Sequence, residues 1–352
     1  MAAPSVPAIV VFYMGVTLVI VRVAPRVVRL TGAVLAMVVL SWWCVSLRSI
    51  GDGDRWRVTF LDVGQGDSAV IELPDGKTVL IDGGARYERF DMGQRVVAPF
   101  LWNRGIRRID HVVGTHPQLD HIGGLIWVLR HVPVGRYWGN GLNRSETFVE
   151  DLNASLQDQQ LSEYRAVRGQ DLLEDGPCHL KTVNPPEESA VLRVGQSHAG
   201  SVLNNDSIVL RLQCGPHSVL FAADVEVGGL SRFDADGRQA VTLLKVPHHG
   251  ARSSLDREWL QQIHPAYAVV SVGSRNPYGH PVESVLQAYK DQHITLYRTD
   301  IDGAVWVTGR LSTSEFVVNS MEDVMIRPVD LPNCPWRCEQ DNWQRVARQW
   351  ME

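Results

Sequence analysis

The sequence predicts an α/β protein whose folded part is an αββα sandwich: two β-sheets face to face, with helices on their outer sides. Two observations predict it. Apolar runs of strand length alternate with segments of helical periodicity from residue 56 to residue 310. The polar clusters at Asp82, at His116 to His121, at Asp224 and at His248 each follow directly on one of those apolar runs. Strands of stacked sheets with the same edge upward would bring these clusters to one rim.

Bulk properties bound the reading. The chain has 352 residues, 45% hydrophobic, and a net charge of -5, enough for one large core or two smaller ones. Mild acidity excludes a protein coated in basic surface, so any nucleic-acid contact is a local stripe. The five cysteines, Cys44, Cys178, Cys214, Cys334 and Cys338, have no metal-framework spacing. Cys334 and Cys338 either pair in an oxidising compartment or stay as thiols.

Residues 1–50 stand apart. Ala2 to Val21 and Leu30 to Leu47 carry no charge, and Arg22, Arg26 and Arg29 lie between them. Each run is near the roughly 20 residues that span a bilayer. A signal peptide explains only the first run, which lacks the basic start of such peptides. The paired Trp42 and Trp43 suit an interface belt. The expectation is two transmembrane helices with a cytoplasmic loop of three arginines, so that everything after Leu47 faces outward. A buried helical hairpin is the alternative, although neither run has an amphipathic face.

The domain is expected over residues 51–315, with residues 316–352 as a tail of unassigned function. Trp56 to Val63 alternates as a strand and ends at Gly64-Gln65-Gly66-Asp67-Ser68, a tight turn in which backbone comes close to something. Ala69 to Leu73 and Thr78 to Ile81 form a hairpin across Pro74-Asp75-Gly76-Lys77. It ends at Asp82, which either orients groups in a site or caps the turn. Val96 to Arg104 reads as a helix closed by Gly105. Ile109 to Val113 is a buried strand, and Ser145 to Gln160 has helical stretches. Residues 136–200 are otherwise weakly patterned. Strands follow at Ile208 to Leu212, Ser218 to Ala223, Val241 to Val246, Ala268 to Val272, Thr295 to Tyr297 and Ala304 to Val307, with a helix over Val282 to Asp291.

The centre of the chain is Thr115-His116-Pro117-Gln118-Leu119-Asp120-His121-Ile122-Gly123-Gly124. Two histidines and a carboxylate within six positions of a strand-to-helix loop can turn inward toward one metal ion. The alternative is a polar surface turn.

The loop spacing, with Asp224 and a histidine at 248 after it, resembles the metallo-β-lactamase superfamily, whose loop reads His-x-His-x-Asp-His. The ordered series Leu61-Asp62-Val63-Gly64-Gln65-Gly66-Asp67-Ser68, Leu80-Ile81-Asp82, Asp120-His121-Ile122-Gly123-Gly124, Asn204-Asn205-Asp206-Ser207, Leu244-Lys245-Val246-Pro247-His248-His249-Gly250, Tyr278-Gly279-His280-Pro281 and Arg298-Thr299-Asp300 is similar to the extracellular domain of the ComEC family. These are polytopic membrane proteins of competence that take DNA across the inner membrane. The resemblance covers residues 56 to 310. Most of that family's channel has no counterpart here, as in a C-terminal piece or one half of a split protein.

The resemblance implies a sandwich of metallo-β-lactamase type after two membrane helices, with Asp120, His121 and His248 holding one divalent ion, Zn²⁺ or Mn²⁺, and Asp224 bridging. A second pocket keeps His116 but has Gln118 where ComEC relatives usually have Asp, and a neutral amide supplies no charge. Its third ligand would be Asp206 or His198, although a turn residue and a surface histidine are the plainer readings. Ala223 stands where the family commonly has Gly. Asp82 would orient a ligand. Asp120 is counted with the reacting groups. His249 and His280 would protonate a leaving oxygen, although His280 can equally be a packed turn residue.

The implied function is a membrane-tethered phosphodiesterase or nuclease acting on single- or double-stranded DNA outside the cytoplasm during transformation. A separate channel-forming competence chain is an implied partner. Arg104, Arg107, Arg108, Lys245, Arg252 and Arg275 are candidates to meet phosphates. Two other readings stay open: a catalytically idle DNA-binding or channel-gating module crippled by Gln118, and a hydrolase of small esters or lactones.

Overall fold

A computed structural model describes residues 11–17, 25–48, 53–87, 90–141, 147–173, 176–187, 189 and 200–321. Its first strands are β1 (Arg55–Phe60), β2 (Ala69–Glu72), β3 (Thr78–Ile81), β4 (Arg86–Tyr87), β5 (Phe90–Asp91), β6 (Ile109–Val113), β7 (Val134–Gly139) and β8 (Glu163–Arg165). Then come β9 (Cys178–Asn184), β10 (Val209–Cys214), β11 (His217–Phe221), β12 (Leu243–Lys245), β13 (Tyr267–Val270), β14 (Thr295–Arg298), β15 (Val305–Arg310) and β16 (Phe316–Ser320). One sheet has eight strands in the order β16-β15-β1-β2-β3-β6-β7-β8, and the other has six in the order β14-β13-β12-β11-β10-β9. Each is antiparallel on one side and parallel on the other. The last two strands return to the first sheet, where Val305 stands opposite Phe60.

Side-chain alternation explains the layering. In the β2–β3 pair, Ile71 opposite Val79 faces the second sheet, while Val70 opposite Leu80 faces outward under helices. All four residues of β3 are buried, as expected for a strand covered on both sides. Between the sheets the Phe60 and Phe221 rings meet at 5.8 Å. The helix Leu119–His131 turns Ile122, Leu125, Ile126 and Leu129 onto the first sheet, a spacing that puts them on one helical face. Trp259, Ile263 and Tyr289 cover the second sheet from its other side. Helices thus lie outside both sheets, the expected αββα architecture.

Several elements differ from expectation. The helix expected from Val96 begins as a π-helical turn, Gly93–Val97, and continues over Ala98–Asn103. β7, β8 and β9 arise where the pattern was weakest. β16 pairs with β15 across Phe316–Ser320, so the sheet runs past the expected boundary at 315. Cys178 and Cys214 form a disulfide between β9 and β10, which their separation in sequence gave no reason to expect. Residues 322–352, with Cys334 and Cys338, and His198 lie outside the described residues.

Residues 11–17 and Arg26–Arg48 are helical. A Cβ added to Gly15 would come within 2.8 Å of the Gly32 carbonyl oxygen, so the two helices approach closely there. Among the described residues no helix is long and apolar enough to cross a membrane.

Candidate metal centre

Three turns of the first sheet, after β1, β3 and β6, and two of the second, after β11 and β12, meet at one rim. In the first sheet, Gly64-Gln65-Gly66 carries Asp67 against the 115–124 loop, and the Asp67 amide donates to the Asp120 carbonyl at 3.2 Å. Gly66 has φ 133°, and a Cβ there would collide with that carbonyl oxygen, so the close approach sensed in the Gly-Gln-Gly run is to this loop. Asp82 ends β3 at φ 57° with no exposure. From the second sheet come Asp224 after β11 and His249 after β12. Asp82, Ala223, His248 and His249 all adopt the left-handed region without being glycine, a strain that persists where surrounding structure holds it. Ala223 stands where the resembling family commonly has Gly, and its φ of 46° shows what favours glycine there.

Asp82 organises the loop. Its carboxylate accepts from the Thr115 amide at 2.9 Å and the Thr115 hydroxyl at 2.8 Å, and its Oδ2 lies 2.8 Å from His121 Nδ1. That contact turns His121 Nε2 toward Asp224 Oδ2, 3.3 Å away. His249 is held likewise, its Nδ1 2.8 Å from the Ser271 carbonyl. Its Nε2 lies 3.5 Å from both Asp120 Oδ2 and Asp224 Oδ2. His116, also buried, has Thr115 Oγ1 3.0 Å from its Nδ1.

The atoms left over point to one kind of ligand. His116 Nε2, His121 Nε2, His249 Nε2, Asp67 Oδ1 and Asp224 Oδ1 are buried without a hydrogen-bond partner. Orphaned buried polar atoms are rare, and an ion is one of the things that satisfies them. The ligand atoms of His116, His121 and Asp224, and those of Asp120, His121 and His249, lie within 4.8 Å of one another. Imidazole nitrogens and carboxylates with backing hydrogen bonds suit a divalent cation such as Zn²⁺ or Mn²⁺.

Charge is arranged to match. Burial would raise the Asp120 carboxyl, but His121 and His249 outweigh it and hold it down at about 2. Asp224 is likewise well below the usual range, with His249 and His121 overcoming burial. Burial would lower His121 and His249, yet the carboxylates around them, Asp224 foremost, push both up. His116 is driven by burial and then by His121 down to about 3, against a weaker pull from Asp224 and Asp120.

Two histidines are placed differently from expectation. His248, expected among the ligands, sits at the half-open edge with Nδ1 3.3 Å from Glu226 Oε1 and Nε2 3.7 Å from Asp224 Oδ2. His249, expected at the leaving group, is the one buried in the cluster. Successive left-handed residues coil the chain so tightly that adjacent imidazoles diverge. His280 lies 5.9 Å from the His248 ring and stacks on Tyr278. Gln118 donates from Nε2 to Asn204 Oδ1 at 2.7 Å, and Asp206 pairs with Arg232 at 2.8 Å. Asp206 belongs to no cation cluster among the described residues.

The basic candidates are scattered. Arg104, Arg107 and Arg108 line a cavity of about 590 Å³ with Arg55, Arg57 and Lys77. It lies where β1, β3 and β6 begin, at the far end of the sheet from Asp82. Arg252 and Arg275 are exposed on loops that follow β12 and β13. Lys245 is buried against Asp67. Sequence reasoning missed Asp67 as a member of the cluster and Lys245 as its neighbour. The signals for Asp67 were the glycine-flanked turn and its place in the motif series similar to the ComEC family.

Comparison with known proteins agrees with the likeness to the ComEC family. The chain is 29% identical over 263 residues to ComE operon protein 3 of Bacillus subtilis, covering 71% of this chain and 32% of that protein. It is 28% identical over 253 residues to Recombination protein 2 of Haemophilus influenzae, covering 72% and 29%. It is also 28% identical over 250 residues to Competence protein ComA of Neisseria gonorrhoeae, covering 70% and 31%. The chain thus spans about a third of the length of these relatives. Among solved structures, a diphosphatase of the PhnP family aligns with 73% of this chain and 99% of its own, at 16% identity and a TM-score of 0.41. Residues 61–274 match the model of the metallo-β-lactamase superfamily, to which this chain belongs.

Proposed function

We propose that the chain is a membrane-attached, metal-dependent phosphodiesterase that acts on DNA outside the cytoplasm. The observation that carries this is the set of buried, unpartnered imidazole nitrogens, Nε2 of His116, His121 and His249, clustered with the Asp120 and Asp224 carboxylates. Asp120, His121, Asp224 and His249 would hold a divalent cation, with Asp82 and the Ser271 carbonyl fixing the two imidazoles. A cation there supplies positive charge against a phosphoryl oxygen and makes water acidic enough to attack near neutral pH. His248, backed by Glu226 at the open edge, is placed to hand a proton to the departing oxygen. His280 suits that role less well. Burial, with His248 and His249 next, pulls it below the ordinary imidazole range.

A nucleic-acid substrate is favoured by the rim. Tyr87 and Tyr278 are 56% and 66% exposed. Burial, then Asp120 and Tyr278, raises the Tyr87 hydroxyl, so these groups share one electrostatic neighbourhood. Exposed aromatic faces, with Arg252 and Arg275 exposed after β12 and β13, suit stacked bases and a phosphate backbone. The competence proteins similar to this chain point the same way. Attachment to the inner membrane is supported by the apolar side chains of Val27, Leu30, Val34, Met37 and Val38, exposed along one helix. The Cys178–Cys214 disulfide suits an oxidising compartment outside the cytoplasm.

A second reading is favoured by Gln118, whose amide is committed to Asn204: a module that grips DNA or gates a channel without cutting. The test is to purify the full chain, count bound metal and supply single- and double-stranded DNA with Mn²⁺ or Zn²⁺. Cleavage abolished by Asp120→Ala and His249→Ala is the expected result. Retarded but intact DNA with less than one metal per chain would sink the hydrolase and leave the module. Turnover of small esters alone would favour an esterase.

A further inference from the structure

We propose that the Lys245 ammonium is a built-in cation that fills the place between Asp67 and Asp224 and thereby limits the rim to one divalent ion. This rests on reading the rim as a cation site and goes beyond it, because it assigns the chain a device that sets metal number.

The geometry is specific. Lys245 ends β12 and is 3% exposed, a burial that lysine reaches only with partners. Its Nζ donates to the Ala223 carbonyl at 3.0 Å. It forms an ion pair with Asp67 Oδ2 and stands 3.8 Å from Asp224 Oδ1. Asp67, Asp224 and His249 are themselves a cluster whose ligand atoms lie within 4.8 Å of one another. The ammonium therefore sits on both carboxylates of a group that has the spacing of a cation site. A divalent ion there would meet a fixed positive charge a few ångströms away, and that repulsion is only weakly screened in a buried site.

The same ammonium orders what lies around it. By facing Asp224 Oδ1 it leaves Oδ2 toward His121 and His249, at 3.3 and 3.5 Å. By holding Asp67 it restrains a carboxylate that is 3.5 Å from His249 Nδ1 and 3.8 Å from His121 Nδ1. Left unpaired, Asp67 would compete with Asp82 and Ser271 for those two nitrogens. Lys245 is thus a positioning residue. The pocket beside His116, where Gln118 offers no charge, and the pocket filled by Lys245 leave one place for a divalent ion.

The test compares the full chain with its Lys245→Met and Lys245→Met/Asp67→Asn variants. Each is dialysed to equilibrium against Mn²⁺ alone and Zn²⁺ alone, its bound metal counted, and its fold checked by circular dichroism. The expected counts are one per chain for the unaltered protein, two for Lys245→Met, and one again for the double variant, which removes the ion pair as a whole. The second ion should bind Lys245→Met at least about tenfold more tightly than it binds the unaltered chain. Two ions bound with Lys245 in place overturn the proposal, as does a folded Lys245→Met that binds no more metal than the unaltered chain. If Lys245→Met does not fold, the neutral double variant decides, and a count other than one overturns the proposal. An unaltered chain that binds no metal beside a Lys245→Met that binds one would end the hydrolase reading and keep the built-in cation. No metal on either would end both.

Discussion

Replacing Asp82 by Asn tests the site with almost no change in shape. The amide oxygen can still accept from the Thr115 N–H, which lies 2.9 Å from Oδ1. The other atom becomes an NH₂ group facing His121 Nδ1, 2.8 Å away. Two donors cannot share that contact, so His121 must carry its proton on Nε2, and a protonated Nε2 has no lone pair for a cation. Stability should change little, because losing a charge-assisted bond costs about 1.5–3 kcal/mol while a carboxylate that burial strongly disfavours is removed. The net should be about 1 kcal/mol. Metal affinity should fall far more, by about 10–100-fold, the usual effect of losing a group that orients a ligand histidine. Equilibrium dialysis with Zn²⁺ or Mn²⁺ at pH 7.5, beside a thermal melt, separates the two. A folded Asp82→Asn protein that binds metal within about threefold of the unaltered chain would refute the reasoning.

Other perturbations probe the frame and the charges. Gly66→Ala puts a Cβ against the Asp120 carbonyl at a φ of 133°. It should destabilise the protein by about 3 kcal/mol or more and weaken metal binding, read by denaturant melts and dialysis. Removing the disulfide with Cys178→Ser/Cys214→Ser frees a 36-residue loop and should cost about 3–4 kcal/mol. A denaturation midpoint that does not move, with the bond shown intact in the unaltered protein, would refute that. With metal stripped, His121 and His249 titrate above 6.5, so their contribution is complete below that value and is lost as pH rises through their raised values. Asp120 and Asp224 titrate below 3.8, so theirs is present above that value and lost as pH falls further. The stripped protein should be most stable between these limits, and metal binding at pH 7 should release protons, seen by calorimetry in buffers of different ionisation heat. Binding without proton release would contradict the raised histidines.

Legibility in the sequence followed the kind of interaction involved. The strand Thr78–Ile81 was plain because two-sided burial favours a mostly apolar run, and Ile109–Val113 keeps that signal at Ile109, Val112 and Val113 around Asp110 and His111. The loop from Thr115 to Gly124 was plain because its histidines and aspartate are close in the chain. Long-range partners were not. Nothing local links Asp67 to Lys245 or Cys178 to Cys214, and only folding brings them together. The placement of His249 rather than His248 in the buried cluster turned on two left-handed residues in succession, a backbone choice that the letters Pro-His-His-Gly do not dictate. β16 was hidden because Phe316–Ser320 is only half-buried along an edge and lacks a strong alternation.

The return of β15 to the side of β1 has a consequence for how the molecule comes into being. β1 leads into the Gly-Gln-Gly turn that carries Asp67, yet one of its flanks stays open until Val305 arrives beside Phe60. The Asp54 carboxylate then clasps the Ser312 hydroxyl and amide. On a ribosome, the half that bears His116 and His121 would wait with an unpaired edge while the rest of the domain is made. Metal capture should therefore come late in synthesis, and a nascent chain halted before β15 should neither bind the ion nor resist a protease.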